Sequence, residues 1–408
     1  MSEHDAFLRA ICANPDDDTA RLVFADWLQE HGEPDRAEFI RLHIEWCRHA
    51  PDVPPDDLWL QLGVAWEASK LSQSPMFGDG YDAHDRGLVA GVWFNSRFRP
   101  ERVEAAFDHN PIRIIHVSPR TEESAVWLAQ TPLFARLRGL CHTGRSVDVA
   151  RRLVESPHIG NLELLRLDLE DDEGRTEDVG SILASARHLD RLTVLDLDGT
   201  HINDAGFEAL VAAPHLGTVR KLIMRSDGRT KHYIGEAGLR ALADSRGLTG
   251  LTHLGLRDCT VHAEGVTQLL RWPGVGNLHE LDLVYAGIEE AGVIELARCP
   301  YLKSLRRLCL CAFDLTDRAL EALAAAPWMS HLRQLRIEAR EYYGDMEEEA
   351  TDEGLAAFKV RLGPRLHMPA KNEDSFELSF ISETERIWHR LRRCQIRDET
   401  GLNLACIL

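Results

Sequence analysis

The chain has 408 residues, with 66 acidic against 47 basic side chains and a formal net charge of −19 at neutral pH. That charge disfavours nonspecific binding to nucleic acid or to an anionic membrane, and no run of about 18 apolar residues offers a membrane span. Nine cysteines without a CxxC pair, and an N-terminus (MSEHDAF) without a basic or apolar leader, point to reduced thiols in a cytoplasm.

Residues 1–49 read as three short helices, over 4–13, 17–31 and 35–49. Asp16, Asp17 and Asp18 stand at the start of the second, where carboxylates meet unpaired N–H groups and the positive end of the helix dipole. Gly32 and Pro34 then stop it. Leu22, Phe24, Trp27, Phe39 and Ile40 form the candidate core. So small a core is marginal alone, and the module is expected to pack on the next helix or on the cap of the downstream repeats. The stretch DDDTARLVFADWLQEHGEPDRAEFIRLH resembles a small bacterial repeat-companion domain, which stands at the N-terminus of proteins with leucine-rich or other repeats. The resemblance implies architecture and supplies no chemistry, because that family has no established activity.

PDVPPDD (51–57) is a proline-rich joint, and residues 50–87 read as a connection holding one helix, 58–71, with Trp59, Leu62, Trp66 and Leu71 apolar. Residues 72–86 have the composition of a loop. RGLVAGVWF (86–94) reads as a first strand, followed by a helix over about 100–107. Its aromatics Trp93, Phe94, Phe98 and Phe107 suit a cap on the open end of a repeat stack. IRIIHV from Ile112 and LRGLCH from Leu137 are weak copies of a motif repeated downstream. His142 falls where neighbouring units place leucine and reads as a satisfied core histidine.

Seven windows from Leu162, Leu192, Val219, Leu251, Leu278, Leu305 and Leu332 read, with small slips, as L-x-x-L-x-L. Their intervals are 30, 27, 32, 27, 27 and 27 residues, and a fixed period of this size marks a solenoid. Within each unit the pattern changes: Leu195 and Leu197 alternate as in a strand, whereas Phe207, Leu210 and Val211 are spaced as on a helix. One strand and one helix cannot bury a core, but stacked copies can. The units closely resemble the leucine-rich repeat family, in its ribonuclease-inhibitor-like class. The resemblance implies an α/β solenoid over residues 88–368, with a parallel curved sheet on the concave face and helices on the convex face. Cys259 stands at the position of Thr200, where that family places a small donor to the loop backbone. Residues 354–362 and LHMP close the last unit, and in the tail, 369–408, a helix over 382–394 is expected to cap it.

Catalytic motifs are lacking: there is no phosphate loop, no nucleophile elbow and no HExxH. His262-Ala263-Glu264 begins a zinc deaminase signature that nothing completes. The acidic runs 170–173 and 347–349 lack calcium-loop spacing. Cys309 and Cys311 share one strand face and read as structural. No cofactor and no metal are therefore expected.

What the sequence offers is a surface. Strand positions 3, 5 and 7 face away from the buried leucines. They carry Arg166 and Asp168, Asp196 and Asp198, Lys221 and Arg225, His253 and Arg257, Glu280 and Asp282, Arg307, and Arg336 with Glu338, in acidic and basic bands. Neighbouring bands of opposite sign either neutralise each other or recognise a partner. The extra residues of two units place Arg229 and Tyr233, and Tyr342 and Tyr343, in strand-to-helix loops, where binding residues concentrate. The expected function is a monomeric, non-catalytic scaffold or adaptor for a protein partner, docking an acidic surface beside Lys221, Arg225 and Arg257. The alternative is an enzyme or enzyme regulator with a site assembled from scattered residues such as His253, Arg257 and Asp282.

Overall fold

The computed structural model describes residues 2–48, single positions of a helix between 58 and 69, and 82–94, 100–119, 122–169, 179–225, 233–311, 314–338, 351–362 and 375–379. These fall into two compact units. Those up to His142, with Ser156–Asn161, form the first; Thr143–Glu155 and those from Leu162 onward form the second.

The first unit begins with α1 (Glu3–Ala13), α2 (Asp18–Glu30) and α3 (Pro34–Arg48). Ser2 and Asp5 cap α1 reciprocally, and Asp17 caps α2 by accepting the Thr19 N–H at 2.9 Å. Leu8, Ile11, Phe24, Leu28, Ile40 and Ile44 close a core to which Leu88 of the following strand also belongs. The opposite side of α3, with Phe39, Leu42 and Trp46, packs on Leu58, Leu62 and Ala65. Both faces of α3 are thus buried with help from residues beyond the three helices, as so small a core requires.

Then come β1 (Asp82–Asp85), β2 (Leu88–Phe94), α4 (Pro100–His109), β3 (Ile114–Val117), α5 (Glu122–Gln130) and β4 (Gly139–Gly144). β2, β3 and β4 are parallel, and β1 pairs antiparallel with β2. β1 lies in the stretch read from composition as a loop. Its sequence, DAHD, has no apolar alternation, and it covers the edge that β2 would otherwise leave open. The β1–β2 turn is pressed onto α3. Gly87 has φ +79°, its N–H donates to buried His43 Nδ1 at 3.1 Å, and a Cβ there would lie 2.5 Å from the Ile40 Cα. Burial, then the charges of Arg86 and Arg21, lower the His43 pKa to about 4. Asp16 and Asp18 do not serve the helix dipole alone: Asp16 pairs with Arg113 at 2.8 Å and Asp18 with Arg86 at 3.2 Å. His142 is buried, its Nδ1 3.2 Å from the Val117 carbonyl, and burial lowers its pKa to about 4.

The second unit holds α6 (Val147–Val154), β5 (Leu164–Leu169), α7 (Val179–Ser185), β6 (Val194–Asp196), α8 (Asp204–Ala212), β7 (Lys221–Arg225) and α9 (Glu236–Asp244). It continues with β8 (His253–Arg257), α10 (His262–Arg271), β9 (Glu280–Asp282), α11 (Glu289–Arg298), β10 (Arg307–Cys311), α12 (Asp317–Ala324), β11 (Gln334–Glu338), α13 (Asp352–Leu362) and β12 (Ser375–Ser379). β5 to β11 are parallel neighbours in chain order, and β12 returns antiparallel along β11. The helix expected over 382–394 lies outside the described residues, whereas β12 closes an edge where no strand was expected. Leu195, Leu222, Leu254, Leu281, Leu308 and Leu335 stand directly opposite one another, all buried, so one leucine per unit builds a continuous row of the core.

Polar contacts then tie each unit to its neighbour. Thr200 Oγ1 donates to the Leu167 carbonyl of the preceding repeat at 2.6 Å, whereas the Cys259 thiol at the equivalent position donates within its own repeat, to the Arg257 carbonyl at 3.8 Å. Asp204 accepts the N–H groups of Gly235 and Gly238 at 2.8 and 2.9 Å, capping the helix of the next unit. A Cβ at Gly238 would lie 2.6 Å from that carboxylate oxygen; at the equivalent Gly265 and Gly292 it would instead crowd Leu239 and Val261, and Ile288 and Val266. The residue seven after the first leucine of the repeat takes left-handed backbone in three repeats, at Gly199 (φ 71°), Asp258 (φ 56°) and Tyr285 (φ 55°). Only the first of these is announced by its residue type.

Candidate site on the helix-free face

The face of β5–β11 turned away from the helices presents two registered rows. Leu164, Val194, Lys221, His253, Glu280, Arg307 and Gln334 make the first; Arg166, Asp196, Ile223, Gly255, Asp282, Cys309 and Arg336 make the second. Strands about 4.8 Å apart crowd the second row, whose members sit midway along the strands. Arg166, Asp196, Asp282 and Cys309 are therefore buried although no helix covers them. Gly255 interrupts the row: it has no side chain, its backbone is buried, and a Cβ built there would meet Ile223 at 3.7 Å.

The bands of charge largely satisfy one another. Arg257 holds Asp282 at 3.2 Å, and the second oxygen of that carboxylate accepts the Val284 N–H at 3.1 Å. Arg307 bridges Glu280 at 2.6 Å and Gln334 at 2.7 Å. Arg166 reaches Asp168 at 3.5 Å and lies 4.0 Å from Asp196, whose Oδ1 accepts the Asp198 N–H at 3.1 Å. Lys221 stands apart, with no ion pair to any described residue, in a half-buried position beside His253.

His253 is the one histidine of this face. Burial, then the charges of Lys221, Arg307 and His279, lower its pKa to about 4, so it is neutral at physiological pH. Its approach to Glu280 at 3.9 Å is then no ion pair, and its Nδ1 lies 2.8 Å from Thr252 Oγ1. Burial likewise raises the thiols of Cys309 and Cys259, then reinforced by neighbouring carboxylates, which keeps both protonated and unreactive. Among the described residues no cluster of His, Cys, Asp and Glu could hold a metal ion.

The sequence thus brought Asp196, Asp198, Lys221, His253, Arg257, Glu280, Asp282, Arg307 and Arg336 to one face. Arg225 pairs in register with Arg257 on that sheet. Arg229, Tyr342 and Tyr343 lie outside the described residues. Tyr233 is exposed at the strand-to-helix edge, bridged to Asn203 and with its ring 5.4 Å from that of His201. What sequence reasoning missed is which of these charges pair across neighbouring strands, and that Lys221 has no ion pair to a described residue. No protein-family model and no curated protein matches the chain.

Proposed function

We propose that the protein is a non-catalytic scaffold of the leucine-rich repeat kind, carrying an N-terminal repeat-companion module, that binds a protein partner across the helix-free face. The observation that carries this reading is Lys221, beside His253 and with no ion pair to any described residue, on a face where Arg166, Arg257 and Arg307 each hold a carboxylate. A carboxylate of the partner docking there would meet Lys221 and the neutral His253. Buried acidic groups on this face are held by arginine or by backbone N–H groups, and the thiols are protonated, which favours recognition over covalent or acid–base chemistry. The strand-to-helix edge at Tyr233 adds an aromatic anchor of the type enriched at interfaces.

The test is affinity capture followed by a direct binding titration of whatever is recovered. Lys221→Glu, Arg225→Glu and Arg257→Glu together should weaken the complex by about a hundredfold while the melting temperature changes little. Undiminished binding by this variant would place the partner elsewhere.

A further inference from the structure

A second charged feature lies on the edge of the sheet where the strands begin, away from the insert loops. In each unit, the residue just before the strand passes its N–H to the preceding unit's equivalent carbonyl: Thr252 to Arg220 at 2.8 Å, His279 to Thr252 at 2.7 Å, Arg306 to His279 at 2.8 Å and Arg333 to Arg306 at 2.8 Å. From Arg220 to Arg333 these side chains form a stretch about 19 Å long, four strand spacings of about 4.8 Å, of a ladder that continues upstream through Thr193 to Glu163. Three of the five members of this stretch are arginines and one is histidine, and exposed Lys303 stands beside it. From Arg220 to Arg333, neither the row nor the two residues preceding each of its members includes a carboxylate. Arg220, Lys303 and Arg306 have no acidic partner among the described residues, and Arg220 and Arg306 hydrogen-bond only to carbonyls of their own loops. In a chain of net charge −19 this is a concentrated exception.

The first unit shows what such an edge holds. Arg113 and Arg138 occupy the same position there, the Arg138 N–H donating to the Arg113 carbonyl at 2.7 Å. Their site is filled by the chain's own acidic turn, with Asp16 on Arg113 at 2.8 Å and the Pro15 carbonyl accepting from Arg86 at 3.4 Å. The geometry points to the row Arg220–His279–Arg306–Arg333 as a docking edge for an acidic, aspartate-rich segment of a partner protein. Arg306 and Arg333, one strand apart, and Arg220, three strands from Arg306, offer carboxylates charge-assisted hydrogen bonds along the edge, and about six residues of extended peptide span the row. This surface is separate from the helix-free face and does not depend on it.

The probe is a fluorescein-labelled oligo-aspartate peptide, titrated with the full chain by anisotropy at two salt concentrations. Binding that weakens with salt, falls about tenfold or more in the Arg220→Glu, Arg306→Glu, Arg333→Glu variant, and persists in the Lys221→Glu, Arg225→Glu, Arg257→Glu variant is the expected result. If the glutamate variant melts early, the corresponding glutamine variant should show the same loss to a smaller degree. Equal binding by wild type and edge variant, or none by wild type, would overturn the proposal. So would tighter binding of a single-stranded RNA of equal charge, or self-association abolished by the same substitutions, which would identify a nucleic acid or a second copy of the chain as the occupant.

Discussion

The two units bury their leucines alike but are held together differently. In the second, one repeat follows another by a shared rule, a leucine row and a hydrogen-bonded ladder, to which Asp204 and Asp317 add bonds to the start of the next repeat's helix. The first has the same parallel strands, yet its helices are fixed by contacts made once only: Gly87 against Ile40 and His43, and Asp16 and Asp18 against Arg113 and Arg86. Regular stacking distributes stability over many equivalent interfaces. Singular contacts concentrate it in a few residues, and the first unit should fail through them.

The largest effect is expected from Leu254→Asp or Leu281→Asp, each of which buries an unpaired charge in the leucine row at a cost of several kcal/mol. Circular dichroism should show the cooperative transition of the second unit lost. An unchanged melt would contradict the register.

Gly87→Ala comes next. Left-handed backbone and a clash with the Ile40 backbone should together cost about 2 kcal/mol or more. The expected signature is local: limited proteolysis should speed cleavage in the first 100 residues or so while hydrogen-exchange protection of β6–β10 stays the same. Loss of protection across both units would mean that the turn supports more than the first.

Acid should separate the units further. His43 and His142 fall from an ordinary pKa of 6.5 to about 4, so between those values the unfolded chain binds more protons than the folded one. The stability they allow is fully present above about pH 6.5 and declines as pH drops toward 4. Asp314, in the second unit, behaves oppositely. Burial raises its pKa from 3.8 to about 6, against the hydrogen bond from the Glu289 N–H, so its penalty is present above pH 6 and is relieved on acidification. His253 works against that relief within the same unit. Opening free energies from hydrogen exchange, measured at pH 7 and pH 5, should fall more in the first unit than in the second. Parallel decline would refute the assignment.

The smallest effect sharpens the capping rule. Gly238→Ala should cost about 1–2 kcal/mol through its contact with Asp204, and Asp204→Ala about 1 kcal/mol through the lost cap. The double variant should cost less than the sum, because removing the carboxylate makes room for the methyl group. Additive costs would mean that glycine is required there for another reason.

This contrast also explains what could be read from the sequence. The strands β5–β11 follow from L-x-x-L-x-L, because a buried strand face repeats the same residue type at the same spacing. The end strands β1 and β12 pair antiparallel with their neighbours, and DAHD carries no pattern to find. Arg21, fully buried and donating to the Pro15 carbonyl, resembles any helix-surface arginine in sequence. On the helix-free face the charged residues were identifiable, since strand alternation dictates where they point. Which of them are spent on each other depends on distances between neighbouring repeats, and so the isolation of Lys221 among the described residues emerged only with the fold.

The central claim is that the helix-free face receives the partner. Hydroxyl-radical footprinting of the complex with the captured partner tests it through side chains already exposed or half-buried in the free chain. Tyr233 and His253 should lose reactivity on binding, while Tyr301, exposed on the far side of α11 from the strand-to-helix loops, keeps it. Protection of Tyr301 with Tyr233 and His253 unchanged would contradict the account.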